Sequence, residues 1–335
     1  MIPAIFTHTL DLDLSNIEVH QWSKNIIMPL AILTVMSALS FSQLKHIGWR
    51  PIITFVSGSM MIALMPIFIG LGARYLSPSI YDTYITDGYW EGMVTMVGSW
   101  IGGSTSQLVL KELSDCSEEL FITILVMDNV LVNLWTILMF QFIKRSDKWN
   151  NHFKIKDEVK DFVPNQIEIV KSPILTLTTT ILIIIGSYFL ISNFLLKIII
   201  LSVVGLLLGN FVKSWNHSLV LKIGGILIIL IMAILGLKLN FENFGLPVSM
   251  VLVSIGWLMS HYLVMILVAW KLKLHLAWLP IASMANVGGI STTPAVTAAY
   301  NEEWMPHAII LAILSMVTGT TWGMLSIYLM KSLVL

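Results

Sequence analysis

The stretch Gly98-Ser99-Trp100-Ile101-Gly102-Gly103-Ser104-Thr105-Ser106-Gln107 interrupts an apolar run otherwise long enough to cross a bilayer. A second stretch, Ala285-Asn286-Val287-Gly288-Gly289-Ile290-Ser291-Thr292-Thr293-Pro294, does the same near the other end of the chain. With Gly102 and Gly103 laid over Gly288 and Gly289, Ser99 falls on Ala285, Trp100 on Asn286 and Ile101 on Val287. Thr105 then falls on Ser291, Ser106 on Thr292 and Gln107 on Thr293. Each stretch is third in a comparable series: span, span, broken span, span. Glycine-interrupted hydrophobic segments in matching positions of two halves point to a transporter's binding site. A glycine pair lets a helix open and another backbone approach. Opening frees amides and carbonyls at membrane depth, which is tolerable only where protein, water or substrate satisfies them. A half-helix N-terminus attracts an anionic group, and freed carbonyls suit Na⁺. Ser104, Thr105, Ser106, Gln107, Asn286, Ser291, Thr292 and Thr293 supply short polar groups around the openings. Pro294 adds to the second break, since it removes a helix bond and disfavours helix at Thr293. Close packing of small residues would also explain one such segment, but it leaves the matched flanks of two unexplained.

Composition agrees with a membrane setting. Of 335 residues, 56% are hydrophobic and 11% charged, and mean hydropathy is +0.85. A soluble domain carries about 25% charged residues, so lipid must cover much of this surface. The apolar runs are continuous rather than alternating, which selects helices over barrel strands. Net charge is zero, which argues against a nucleic-acid partner. The single cysteine, Cys116, rules out an intrachain disulfide and a cysteine metal cluster. Met1 to Leu10 does not read as a signal peptide, being followed by Asp11 and Asp13. Trp22, Trp49, Trp90, Trp278 and Trp304 suit interfacial belts, whereas Trp100 and Trp135 fall deeper.

The expected fold is an all-α polytopic membrane protein with about 10 transmembrane helices in one membrane domain, residues 1–335. It divides into two repeated units, each with a broken, discontinuous helix: repeat one about 25–143, a polar loop 144–172, and repeat two about 173–335. The spans run Asn25–Phe41, Pro51–Gly72, Gly92–Leu110, Leu120–Ile143, Pro173–Ile191, Phe194–Val212, Leu221–Leu237, Pro247–Trp270, Trp278–Tyr300 and Met305–Met330. The fifth and sixth have no counterparts in the first half. Counting from the third span to the ninth gives an even number of steps, which makes the repeats parallel, whereas an inverted repeat needs an odd number. Either a span between Pro173 and Val212 is miscounted or the halves are not inverted. Positive-inside counting puts the Lys144–Lys171, Lys213–Lys222 and Lys271–Lys273 segments in the cytoplasm, and it puts Lys45 and Arg50 outside, against the rule.

Asp128 sits mid-way along the fourth span beside Asn129, with Asn133 on the Asn129 face. An intramembrane acid is costly and marks function by default. Asp128 either titrates and carries H⁺ or stays ionised and ligates Na⁺; a structural carboxyl bonded to a neighbouring helix is the alternative. His261, within the eighth span, is a proton relay or a packing histidine. Lys197 and Lys222 are placed to snorkel, and Lys238 and Asn240 end the seventh span. His152, His217, His275 and His307 show no metal-ligand spacing, and no metal site is expected.

Three runs carry a family resemblance: Gly98 to Ser104, Asp128 ahead of Trp135, and Ser283 to Gly289. From about Pro29 onward the chain resembles the domain-of-unknown-function 819 (YjcL-like) membrane proteins. These are similar to the wider group of cation–proton antiporters and anion transporters. The resemblance implies extra N-terminal helices that this sequence lacks, two crossing discontinuous helices beside a scaffold, elevator-type alternating access and a homodimer. It casts Asp128 and Asn129 as a reversed counterpart of the antiporters' paired ion site, and it supplies no substrate.

The expected function is secondary active transport, a symport of a small polar or anionic organic solute coupled to Na⁺ or H⁺ at two crossing broken helices. The expected site comprises Ser99, Gly102, Gly103, Ser104, Thr105, Ser106, Gln107, Asp128, Asn129, Asn133, His261, Asn286, Gly288, Gly289, Ser291, Thr292 and Thr293. A cation/proton antiporter using Asp128 is the alternative. An intramembrane hydrolase built on Ser104 or Ser106 with His261 lacks the Gly-x-Ser-x-Gly elbow, so no enzyme activity is expected. A passive channel or assembly subunit is a further alternative. No Walker motif is present and no cofactor is called for beyond the coupling ion. The partners expected are the lipid bilayer, the solute and a second copy of the chain, in a bacterial inner membrane.

Overall fold

A computed structural model describes residues 18–38, 47–155, 171–236, 247–301 and 304–335. The described residues are helical almost throughout. The helices are α1 (Val19–Trp22), continued through a π-turn Ser23–Ile27 into α2 (Met28–Met36), then α3 (Trp49–Leu76) and α4 (Pro78–Tyr81). After a π-turn Asp82–Thr86 come α5 (Tyr89–Ser114), α6 (Glu118–Ile143) and α7 (Ser146–Phe153). The second half holds α8 (Pro173–Leu190), α9 (Phe194–Phe211), α10 (His217–Gly236), α11 (Val248–Leu272), α12 (Trp278–Val287), α13 (Gly289–Ala298) and α14 (Met305–Leu333). Among the described residues, five helices are long and apolar enough to cross a membrane: α3, α6, α8, α11 and α14. Their outward faces are apolar, as at Phe68, Ile137, Leu182, Phe189 and Leu263. Such faces in water would cost roughly 1.5–3 kcal/mol per large side chain, so a bilayer is their solvent.

Local chemistry sets the helix boundaries. The Ser117 hydroxyl accepts from Leu120 N at 3.2 Å and caps α6, and Asp115 ends α5 in the left-handed region. Ser172 caps α8, and the Asn193 side chain caps α9, which separates these two apolar helices.

The chain divides into two compact units, and each draws on both sides of the polar stretch. One comprises residues 1–41 and 164–244 and contains α1, α2, α8, α9 and α10. Its core joins Leu33, Ile184 and Leu201, with Gly205 letting α9 approach the Leu33 carbonyl. Lys197 is buried here over the Tyr188 ring rather than snorkelling to the surface. The other comprises residues 42–163 and 245–335 and contains α3 to α7 and α11 to α14. Trp100, Trp257, Trp278, Phe55 and Phe121 fill its core.

Besides Lys197, four readings need correction. Trp22 and Trp49 are exposed, but Trp90 and Trp278 are buried; Trp278 stacks on Trp304 at 5.5 Å between centroids rather than lying in an interfacial belt. The polar stretch is partly helical: α7 pairs Trp149 with Phe153 one turn apart, and Asn150 Oδ1 accepts from Leu276 N at 2.9 Å. Pro294 lies inside α13, which runs through it, so the second break falls at the glycines alone. Asn129 and Asn133 are corrected with the site. Lys238, Asn240 and the end of the first expected span lie outside the described residues.

Candidate functional site

The backbone leaves helical geometry inside α5 at Gly103, with φ 71° and ψ −170°. That region is open essentially to glycine alone. Between α12 and α13 it does so again, with Gly289 at φ 62°. The second glycine of each pair therefore takes the positive φ. The first glycine of each pair has a different task. A methyl on Gly102 would strike the Ser106 hydroxyl, and a methyl on Gly288 would strike the Thr292 hydroxyl. Both hydroxyls lie four residues on, at positions the sequence overlay matched. Gly102 also faces Gly319 of α14, backbone against backbone, where neither tolerates a side chain.

Opening α5 leaves carbonyls to satisfy. The Ser315 hydroxyl on α14 donates to the Ile101 carbonyl, and the same oxygen stands 3.4 Å from Asn286 Oδ1. Asn286 precedes the second break and is fixed from α3: its Oδ1 accepts from the Ser59 hydroxyl at 2.8 Å, and its Nδ2 donates to the Phe55 carbonyl at 3.2 Å. Ser315 thus connects the two breaks. At the second break the Thr293 hydroxyl donates to the Gly289 carbonyl at 2.5 Å. Ser106 shares a hydrogen bond with Thr320 at 2.9 Å.

Two hydroxyls are buried at these breaks and, among the described residues, make no hydrogen bond: Thr105 Oγ1 and Thr292 Oγ1; the buried amide of Gln107 turns toward the Asp128 carboxylate. Buried polar groups are nearly always paired, and each exception asks for an explanation. Ser104 is half-buried, and the side chain of Ser291 lies outside the described set.

Asp128 on α6 is 3% exposed. The Ser99 hydroxyl donates to its Oδ2 at 2.5 Å and the Trp100 indole N–H to its Oδ1 at 2.6 Å. Both donors come from the turn of α5 just before its break. Trp100 is braced by Trp257, 4.6 Å away between centroids. Among the described residues no cation lies within ion-pair distance of Asp128.

Asn129 and Asn133 do not join Asp128. Both are exposed, and each amide donates to its own helix, to the Leu125 and Asn129 carbonyls at 2.7 and 2.8 Å. One residue along a helix turns the side chain about 100°, so i and i+1 never share a face. His261 is also apart. Its Nδ1 donates to the Leu258 carbonyl at 3.0 Å, which leaves Nε2 as the acceptor of the Ser283 hydroxyl at 3.3 Å. Ser283 in turn accepts from the Trp135 indole at 2.9 Å. This directed chain ties α6, α11 and α12 and leaves His261 no spare ring nitrogen. Ser59, Ser315, Gly319 and Thr320 were missed by sequence reasoning, and Ser283 entered it only as the start of the Ser283 to Gly289 run. The glycine at 319 beside two threonines was the one available signal.

These features define a multi-pass α-helical membrane protein whose polar interior gathers at two glycine pairs. The chain belongs to the family described as "Protein of unknown function (DUF819)", whose model matches residues 1–333. No curated protein and no solved structure matches the chain.

Proposed function

We propose that this protein is a secondary active transporter that moves a small polar or anionic organic solute through the space at the two glycine breaks. The observation that carries the reading is the Ser315 bridge from Ile101, at one break, to Asn286, at the other, with unpaired hydroxyls of Thr105 and Thr292 beside the breaks. A solute with donors and acceptors would pair these atoms. The repeat supports it too. The unit that holds the site contains α3, α5 and α6 from one half and α11, α12–α13 and α14 from the other, each trio reading span, broken span, span. With the remaining apolar helices this is consistent with about ten spans in a bacterial inner membrane. All site residues fall in one unit, which fits cargo being carried with that unit.

Asp128 favours a coupling role, and through it a second reading as a cation/proton antiporter. A buried carboxylate held only by neutral donors is unfavourable unless a proton or a cation neutralises it. Na⁺ or H⁺ would serve, with Ser99 and Trp100 positioning the carboxyl. A hydrolytic reading on Ser106 gains no support: Ser106 pairs with Thr320, and the two ring nitrogens of His261 are engaged by the Leu258 carbonyl and Ser283.

Proteoliposomes test both readings. An imposed Na⁺ or H⁺ gradient should drive saturable uptake of an organic solute, from a panel of amino acids, short peptides and carboxylates, and Asp128→Asn should abolish the ion dependence. Cation–proton exchange of equal rate without any organic solute would instead establish the antiporter.

A further inference from the structure

We infer that the groove between the C-terminal ends of α6 and α11, roofed by α7, is a binding site for one acyl chain of an anionic phospholipid. The groove encloses about 500 Å³, within the range of roughly 300–1,000 Å³ usual for ligand pockets. Trp149 and Phe153 of α7, Leu267 and Trp270 of α11, and Leu279 and Pro280 of α12 line it. Its polar members are the side chain of Ser146 and the hydroxyl of Tyr262. So apolar a cavity does not suit a polar solute.

Two observations select lipid as the occupant. The first is continuity with the hydrocarbon-facing surface. Met259, Leu263, Leu267 and Trp270 are 55%, 57%, 51% and 58% exposed along α11, which is one of the five apolar spans. A chain can therefore enter sideways from the bilayer. The second is charge. Lys144, Arg145, Lys148 and Lys154 surround α7, and Lys271 and Lys273 follow Trp270; all six are exposed. Among the described residues none of the six is in an ion pair, and the one acid on α7, Asp147, accepts from the Tyr300 hydroxyl at 2.7 Å. Exposed aromatic residues, Trp149 and Phe153 here, flanked by cations are the combination found at a membrane interface, and basic residues beside spans attract anionic lipid. The chain would fill the groove while its headgroup phosphate meets these cations. Since Leu279 and Pro280 belong to α12, the lipid would brace the helix that leads to the second glycine pair.

The test uses the full chain reconstituted in nanodiscs of equimolar dioleoylphosphatidylcholine and dioleoylphosphatidylglycerol, then released for native mass spectrometry. The expected result is retained phosphatidylglycerol over phosphatidylcholine by about tenfold, equivalent to about 1.4 kcal/mol. Replacing Lys144, Arg145 and Lys148 by Gln should bring the two lipids to near parity without loss of bound lipid. Met259→Trp with Leu267→Trp, both at exposed positions, should cut retained lipid of either kind at least about fivefold by filling the groove. Equal retention of both lipids by the wild type would overturn the inference. So would undiminished retention by the tryptophan variant, or release of a lipid-free dimer that the tryptophan variant disrupts, which would assign the groove to a second copy of the chain.

Discussion

At Asp128, neutral donors alone grip one carboxyl group, Ser99 and Trp100 from before the break and Gln107 from beyond it, with no cation nearby among the described residues. Removing one donor at a time separates positioning from charge. Ser99→Ala and Trp100→Phe should each weaken ion-driven uptake by roughly tenfold to a hundredfold while keeping its ion dependence, as loss of one hydrogen bond to a charged group costs about 1.5–3 kcal/mol. Asp128→Asn should remove the dependence itself; an unchanged pH and Na⁺ profile would make Asp128 structural. Ser283→Ala is the contrasting case. It strands the Trp135 N–H and leaves His261 Nε2 without its donor, so it should lower stability by about 1–3 kcal/mol while the pH profile of uptake stays as it is. Thermal unfolding and a pH series measure the two effects. The adjacency of Asp128 and Asn129 was legible and misleading, because residues adjacent in sequence point about 100° apart on a helix. Ser315 was illegible for another reason: a serine in an apolar span gains meaning only from the helix it packs against.

On the scale of the helix, the glycine pairs were the readable feature. They were readable because two conditions coincide at each: a backbone angle that excludes side chains and a hydroxyl seated where a first-glycine methyl would lie. Gly103→Ala isolates the first condition, since an added methyl there meets nothing within 4 Å. Backbone strain of about 1–3 kcal/mol is expected, with loss of uptake and normal insertion. Gly319→Ala isolates close approach, because its methyl would meet the Gly102 backbone; it should be the more destabilising in a melting experiment. Uptake surviving in both would reduce the glycines to packing residues. Helix α7 was hidden from the sequence reading because it is short and polar: its buried residues are Ser146 and Asn150, and its two aromatic residues, Trp149 and Phe153, are exposed.

Taken whole, the molecule groups its helices in a way the linear order conceals. Each unit combines segments from both sides of the polar stretch, so repeat boundaries drawn along the chain cut across the compact units. Helical class and membrane residence followed from charge scarcity, whereas this grouping depends on contacts no single segment announces. Cys116, between α5 and α6, offers a probe of the site-bearing unit. Burial, with Glu91 and Glu118 close by, pushes its thiol up to about 12. Because the thiolate is the reactive form, a thiol held in this way should alkylate on the order of a thousandfold more slowly at pH 8 than one at pKa about 9. Maleimide labelling should therefore appear only on unfolding and report the melting temperature directly; rapid labelling of the folded protein would contradict this environment.

The central claim, that the paired breaks form one solute-accessible space inside the membrane, is tested most directly by cysteine accessibility. In a Cys116→Ala background, Thr105→Cys and Thr292→Cys are each exposed, in intact membranes, to a small water-soluble methanethiosulfonate. Leu134→Cys on the outward apolar face of α6 serves as the lipid-facing control. The account predicts that both site cysteines react and that the control does not. Inserted protein in which neither site cysteine reacts from either side would contradict it.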